Sequence, residues 1–387
     1  MPGMMTAARH PVNRGGTAVD RMPGASEHLR FPRFRGPAMA AGHNWRAPLP
    51  TPDHQIAEDA RAHQDSLTKP PGSLGRLEEL AVRLAAQQGR MEPAVDRVWI
   101  SVFAADHGVC AEGVSAFPQA VTAQMIRNFS SGGAAINVLA RTWNCTLEVL
   151  DLGTAAELPP LPGVVGAHIG PGTANLACEN AMTGEQCEQA MHHGAAAADR
   201  AAATGAELFI GGEMGIGNTT SAAAVACALL ATNPALLTGR GTGVDDAGLA
   251  RKQQAIGAGL ARHGDDRDPL TVLASLGGFE IAALAGAMLQ AARHRIPVLV
   301  DGFITTTAAL AAVRLNPGLR DWLHFSHCSS EAGHARLLVA LEAKPLLDLD
   351  MRLGEGSGAA VALPLLRAAC ALHNGMATFA EAAIDKH

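Results

Sequence analysis

Three short segments gather the residue types that chemistry needs. In LGEGSG, Glu355 stands between Gly354 and Gly356, just ahead of an apolar run that opens near Ser357. A carboxylate in a glycine turn can be brought against a flat substrate without obstruction from neighbouring side chains, which suits a general base. The same placement suits a carboxylate that stabilises the start of a helix, and spacing leaves both readings open. In GGEMGIGNTTSAAA, residues 211–224, a glycine-rich bend joins an apolar run to an alanine-rich one. Glycines let backbone N–H groups approach a ligand, Thr219 and Thr220 add donors, and the new helix places about half a positive charge ahead of its first turn. A phosphate fits there, as does a plain tight turn. A second glycine-rich segment, TGRGTGVDDAGLARK, sets Gly239, Gly241 and Gly243 before Asp245 and Lys252, and the lysine is a candidate cation for the same phosphate.

Other chemistries find less support. Neither GxGxxG nor GxxxxGK[ST] occurs in the 211–224 segment, so it is not a dinucleotide or P-loop fingerprint. Asp106 and His107 in ADHGV are residue types that bind metals, but no HxxE, HExxH or HxH spacing accompanies them, and a metal needs three or four convergent ligands. His192, His193, His327 and His334 stand in unrelated contexts. The serine of GEGSG does not sit in a strand-to-helix GxSxG elbow. Seven scattered cysteines, odd in number and never spaced CxxC, suggest reduced thiols in a cytoplasmic protein. No metal and no cofactor is expected.

These segments must be held by regular elements. The composition, 48% hydrophobic with 42 glycines, 4% aromatic and no tyrosine, leaves Ala, Leu and Val to fill the core. VWISVFAAD (98–106) is a short apolar run with a polar tip, the pattern of a buried parallel strand whose end carries function. The pattern recurs in TLEVLDLG, AELFIGGEMG and IPVLVDGF, with helical stretches between. Helices are expected at 73–88, 185–203, 219–231, 245–261, 280–293, 331–342 and 357–372. The fold class is therefore α/β, a doubly wound, mostly parallel sheet whose strand ends converge on one crevice. A formal charge of −6 without a basic stripe argues against nucleic acid, and no apolar run reaches the roughly 18 residues of a membrane span. A small molecule is the expected partner. Residues 1–46, with seven arginines against Asp20 and Glu27, read as a disordered extension.

Taken together, KPPGSLGRLE (69–78), ADHGV with EGVSAFPQAVTAQM (112–125), SGGAAINVLA (131–140), GEMGIGNTT, GRGTGVDD, LGGFEIAALAGA (276–287), VDGFITTTAAL (300–310), HCSSEAGH (327–334) and LGEGSGAA closely resemble the nicotinate-nucleotide:dimethylbenzimidazole phosphoribosyltransferases. The motifs run in order from about Pro50 onward. The resemblance implies transfer of the 5-phosphoribosyl group of nicotinate mononucleotide to 5,6-dimethylbenzimidazole, giving α-ribazole phosphate and nicotinate for the cobamide lower ligand. It implies Glu355 as catalytic base and Glu213 as a second carboxylate of the base pocket. Ser115, Phe117 and Gln124 match parts of the pocket wall, and Gly215, Gly217, Asn218, Thr219, Gly241, Lys252 and Ser329 match phosphoribosyl contacts. It also implies a Rossmann-like domain at 98–345 and a smaller helical domain built from 47–97 and 346–387, with helices at 73–88 and 377–384. A homodimer whose site can draw on both subunits completes the picture. The alternative is a non-catalytic nucleotide- or base-binding protein of the same fold.

Overall fold

The computed structural model describes residues 43–385. Two helices, α1 (His54–Ser66) and α2 (Arg76–Gln88), precede the first strand, β1 (Val98–Ala105). Helices α3 (Ala120–Ser131) and α4 (Ala135–Thr142) lead to β2 (Thr146–Gly153) and β3 (Val164–Gly166). After α5 (Gly184–Ala203) comes β4 (Leu208–Met214), then α6 (Asn218–Leu230), α7 (Asp246–His263), α8 (Pro269–Leu276) and α9 (Phe279–Arg293). Strand β5 (Val298–Val300) is joined through α10 (Phe303–Leu315) to β6 (Leu323–Phe325). A small pair, β7 (His327–Cys328) and β8 (Leu347–Asp348), brackets α11 (His334–Ala340), and α12 (Ser357–Gly375) follows.

Every pairing in the six-stranded sheet is parallel, and the order is β3-β2-β1-β4-β5-β6. The chain winds outward from β1 one way and then from β4 the other. An open α/β sheet leaves a crevice at such a reversal, beyond the carboxyl ends of its strands.

All eight residues of β1 are buried, which is why the strand reads as an unbroken apolar run. Its side chains alternate between two cores. Trp99 and Phe103 share one with α5, α6, α9 and α10. Ile100, Val102 and Ala104 share the other with Ile126 and Phe129 of α3, Ile136 of α4 and Leu363 of α12. Helices α5 and α9 touch backbone to backbone: a Cβ at Gly194 would run into the Ala283 carbonyl, and one at Gly286 into that of Met191. The alanine-rich composition follows, since only small side chains permit that approach. Helix α2 packs Val82 and Ala85 on α1 and Leu80 and Ala81 on Ala369 of α12, so the first two described helices meet the last.

The structure corrects four expectations. The disordered-extension assignment for 1–42 lies outside the described residues, but 43–46 are packed into the protein. Trp45 is 3% exposed, stacks on His43 and tilts against His192, and its carbonyl accepts from Asn316 Nδ2 at 3.1 Å. Helix α2 starts at Arg76 rather than 73 because Gly72 and Gly75 adopt left-handed φ values of 75° and 57°. The 331–342 helix shrinks to seven residues. Residues 377–384 form a turn rather than a helix: Thr378 bridges Leu67, the backbone N–H groups of Ala382, Ala383 and Ile384 reach back to different i−3, i−4 and i−5 carbonyls, and Ala383 takes φ 53°. Five helices, α1, α3, α4, α8 and α10, add to the expected set; α4 and α8 have only eight residues each, too few for a clear period. No helix among the described residues is long and apolar enough to cross a membrane.

Candidate active site at the carboxyl ends of the strands

A cavity of about 630 Å³ opens where β4 and β5 end, within the usual size of small-molecule sites. Glu213 and Met214 come from the end of β4, Asp301 and Gly302 from the end of β5, and Gly354 and Glu355 from the turn before α12.

That turn is strained. Gly354, Glu355 and Gly356 take φ values of 89°, 64° and 82°, three successive left-handed residues of which one carries a side chain. Such a conformation costs on the order of 1–3 kcal/mol at a non-glycine and persists only where its surroundings enforce it. Here the Glu355 N–H donates to the Glu213 carbonyl at 3.3 Å. The Asp301 carboxylate accepts from Gly356 N at 3.2 Å and Ala359 N at 2.8 Å, capping α12 from a strand 55 residues earlier. A Cβ on Gly212 would strike the Glu355 carbonyl, and one on Gly354 the Glu213 carboxylate, so the turn can lie flat against β4 only because both are glycine. Glu355 Oε2 accepts from Ile136 N, at the start of α4, at 3.3 Å. Glu355 therefore does not cap the helix that follows it. Asp301 does.

The acidic side of the cavity is electrostatically loaded. Burial pushes the Glu213 carboxyl up to about 8, helped by repulsion from Glu280, Asp301 and Glu355 and opposed by the hydrogen bond from Asn218 Nδ2. Burial also raises Asp301, with His327 opposing. Glu355 is raised by burial and by the charge of Asp301, against the Ile136 hydrogen bond. Carboxyls whose proton affinity is raised in a cleft suit proton transfer.

The same cavity is rich in donors. Helices α6 and α10 begin at Gly217 and Gly302 without side-chain caps, and their first residues line the cavity. Free helix starts attract anions. Lys252 lies buried behind Thr219, donating to its Oγ1 at 2.8 Å and to the Gly239 carbonyl at 2.9 Å; burial lowers its ammonium to about 8. Arg352 reaches the same wall and donates to the Gly241 carbonyl at 3.3 Å.

Of the residues singled out in the sequence, Glu355, Glu213, Phe117, Gly215, Asn218, Thr219, Gly241 and Ser329 line one cavity. Four stand off it. Lys252 is behind Thr219, Gly217 caps α6, Ser115 Oγ meets the wall through Thr242 Oγ1 at 3.4 Å and the Phe117 N–H at 3.1 Å, and Gln124 is exposed on α3. Asp301, His327, Arg352 and Met125 line the cavity without having been singled out. Asp301 carried a signal, an aspartate beside glycine at the end of an apolar run, the same signal that marked Glu213. Among the described residues no three His, Cys, Asp or Glu side chains converge as a metal centre. Asp106 accepts from Ala155 N at 2.8 Å, and His107 bonds Glu280 at 2.7 Å.

A family model described as a phosphoribosyltransferase matches residues 49–384. A nicotinate-nucleotide–dimethylbenzimidazole phosphoribosyltransferase of Ectopseudomonas mendocina (strain ymp) is 60% identical over 341 residues, covering 88% of this chain and 97% of that one. The protein of the same name in Xanthomonas axonopodis pv. citri (strain 306) is 60% identical over 334 residues, covering 86% and 96%. A crystal structure of the Thermus thermophilus enzyme of that name superposes with a TM-score of 0.83 at 50% identity, covering 87% of this chain and 100% of that one.

Proposed function

We propose, since the chain belongs to the nicotinate-nucleotide–dimethylbenzimidazole phosphoribosyltransferase family, that Glu355 is the general base of that family's reaction. The enzyme transfers the 5-phosphoribosyl group of nicotinate mononucleotide to 5,6-dimethylbenzimidazole, releasing nicotinate and supplying the cobamide lower ligand. One benzimidazole nitrogen attacks the anomeric carbon while Glu355 takes the proton from the other, so the nucleophile stays electron-rich as the new C–N bond forms. The old C–N bond breaks with its electrons going to the ring nitrogen, so the positive pyridinium ring becomes a neutral pyridine and nicotinate leaves as its carboxylate anion. Inversion requires the two flat rings on opposite faces of the ribose.

The observation that carries this reading is the strained turn presenting Glu355 to a cavity that the uncapped starts of α6 and α10 also line. The phosphate goes to the donor side, at Asn218, Thr219, Gly215, Gly241 and Ser329, with Lys252 supporting Thr219 from behind and Gly217 shaping the helix start. The azole goes to the acidic side, between Glu213, Phe117 and Glu355; Ser115 and Gln124 support its wall from outside the cavity. Contacts between α1, α2 and α12 support 47–97 and 346–387 as one small helical domain beside the 98–345 domain. A cytoplasmic homodimer is the assembly in keeping with this reading, and the exposed apolar side chains of Phe117 and Leu353 at the cavity suit cover by a second subunit.

Purified protein is expected to release nicotinate only when a benzimidazole is supplied, without added metal. Glu355→Gln should lower kcat by roughly 10²- to 10⁴-fold, the usual contribution of a general base, with the KM for the mononucleotide little changed. A variant that kept most of its turnover would remove Glu355 from this role.

A further inference from the structure

Glu213, Asp301, Glu331 and Glu355 bring carboxyl groups to the cavity wall. Three of them are met by hydrogen bonds from the protein: Glu213 by Asn218 Nδ2, Asp301 by the N–H groups of Gly356 and Ala359, and Glu355 by that of Ile136. Glu331 differs, for its Oε2 is buried with no hydrogen-bond partner. A buried acceptor left unpaired has given up water for nothing, so in a substrate cavity it marks the place of a donor on the substrate. The fold makes room for this carboxyl. A Cβ on Gly239 would overlap Glu331 Oε2, and one on Gly333 would lie 2.8 Å from the Leu237 carbonyl oxygen, so 331–333 can press against 237–239 only because both positions are glycine. The Glu331 N–H donates to Ser329 Oγ at 3.3 Å and the Ser329 N–H to His334 Nδ1 at 2.7 Å, which fixes the loop from within. Gly239 also gives its carbonyl to Lys252 Nζ at 2.9 Å, and Lys252 donates to Thr219 Oγ1 at 2.8 Å. Glu331 therefore borders the wall of Thr219 and Gly241, where a Cβ on Gly241 would lie 2.7 Å from Thr219 Oγ1.

We propose that Glu331 is a specificity-determining residue that accepts a hydrogen bond from a ribose hydroxyl of the mononucleotide. This rests on the functional reading above, which sets the phosphate at Thr219 and Gly241, and on the chemistry of that substrate. Its phosphate and its nicotinate carboxylate are anionic acceptors, and its pyridinium nitrogen carries no hydrogen, so the 2′- and 3′-hydroxyls are the donors it brings. The ribose is also the part of the nucleotide bonded to the phosphate, and so the part that follows along the wall Glu331 borders. A site built to bond a hydroxyl rejects the analogue that lacks it, because the acceptor is then stranded without a partner. Glu331 thereby selects a ribonucleotide over a deoxyribonucleotide.

The test is calorimetric binding of nicotinate mononucleotide and of its 2′-deoxy and 3′-deoxy analogues to wild type, Glu331→Ala and Glu331→Gln, with no azole present so that no transfer occurs. Wild type is expected to bind one of the two analogues about tenfold or more weakly than the parent nucleotide. In Glu331→Ala the parent weakens by a similar factor and that analogue no longer lags behind it, because hydroxyl and carboxyl share one bond. Glu331→Gln, equal in size and with an amide oxygen that still accepts, loses less. Equal binding of all three nucleotides by wild type would overturn the assignment without recourse to any variant. Weakening of all three by the same factor in Glu331→Ala would make the side chain a support of the phosphate wall and overturn it as well. A wild type that discriminates among the nucleotides but releases no nicotinate when a benzimidazole is added would overturn the transfer reaction and leave this contact standing.

Discussion

Glu355 and Glu213 differ in how their surroundings use a carboxyl. Glu355 must be ionised to accept a proton, and its affinity for protons is raised by burial and by Asp301. As pH falls through that raised value the base is lost, so kcat/KM should decline towards acid with a midpoint above that of an ordinary glutamate, measurable by titrating turnover from about pH 5 to about pH 9. Glu213 leaves a signature in stability. An acid whose folded-state value is raised to about 8 binds more protons folded than unfolded, so it costs nothing below its unfolded value of about 4.3 and destabilises progressively up to about 8. Glu213→Gln should therefore raise Tm at alkaline pH, by the equivalent of a few kcal/mol as an order of magnitude, and leave it nearly unchanged in acid. Both glutamates were legible in the sequence as acids beside glycine, one at a strand end and one before a helix. The work of Asp301 was not, because it caps a helix brought to it only by the tertiary fold.

Among the elements, the turn at 354–356 and strand β4 form one unit, and Gly212 is where they touch. Gly212→Ala would place a methyl against the Glu355 carbonyl. Overpacking of this kind costs about 1–3 kcal/mol, and a shift of about 1 Å at the base can cost about 100-fold in rate. Activity should therefore fall much further than Tm, a split that paired kinetic and melting measurements on one preparation would show. The longer helices could be read closely from their periodicity and flanking residues: 185–203 against Gly184–Ala203, and 245–261 against a helix capped by Asp245. Errors gathered where tertiary contacts outweigh local preference. The alanines of 377–384 favour a helix, but pairing of Thr378 with Leu67 ties that segment to the end of α1.

At the scale of the whole molecule, the segment at 43–50 is tied to the helical layer rather than left loose. Trp45 is held by His43, His192 and the Arg293 guanidinium 5.6 Å above its ring, and Arg293 also donates to the Asn44 carbonyl at 2.7 Å. Trp45→Ala should cost about 3–5 kcal/mol, read as a lower Tm without a change in the KM for either substrate, since Trp45 does not line the cavity. Composition hid this anchor, because a single aromatic is lost among the arginines, glycines and prolines before it. The doubly wound sheet and its crevice were legible because β1 is a continuous apolar run and β2, β4 and β5 are largely apolar runs that break at an acid beside glycine; β3 and β6, three residues each, gave little to count. The locked contact of α5 with α9 constrains how this protein can change. Gly194 and Gly286 meet the backbone of residues 283 and 191, so any side chain at either glycine must pry the two helices apart. Neither glycine can be replaced without moving a helix, and the freedom to acquire a new azole preference is left to the loops at the strand ends.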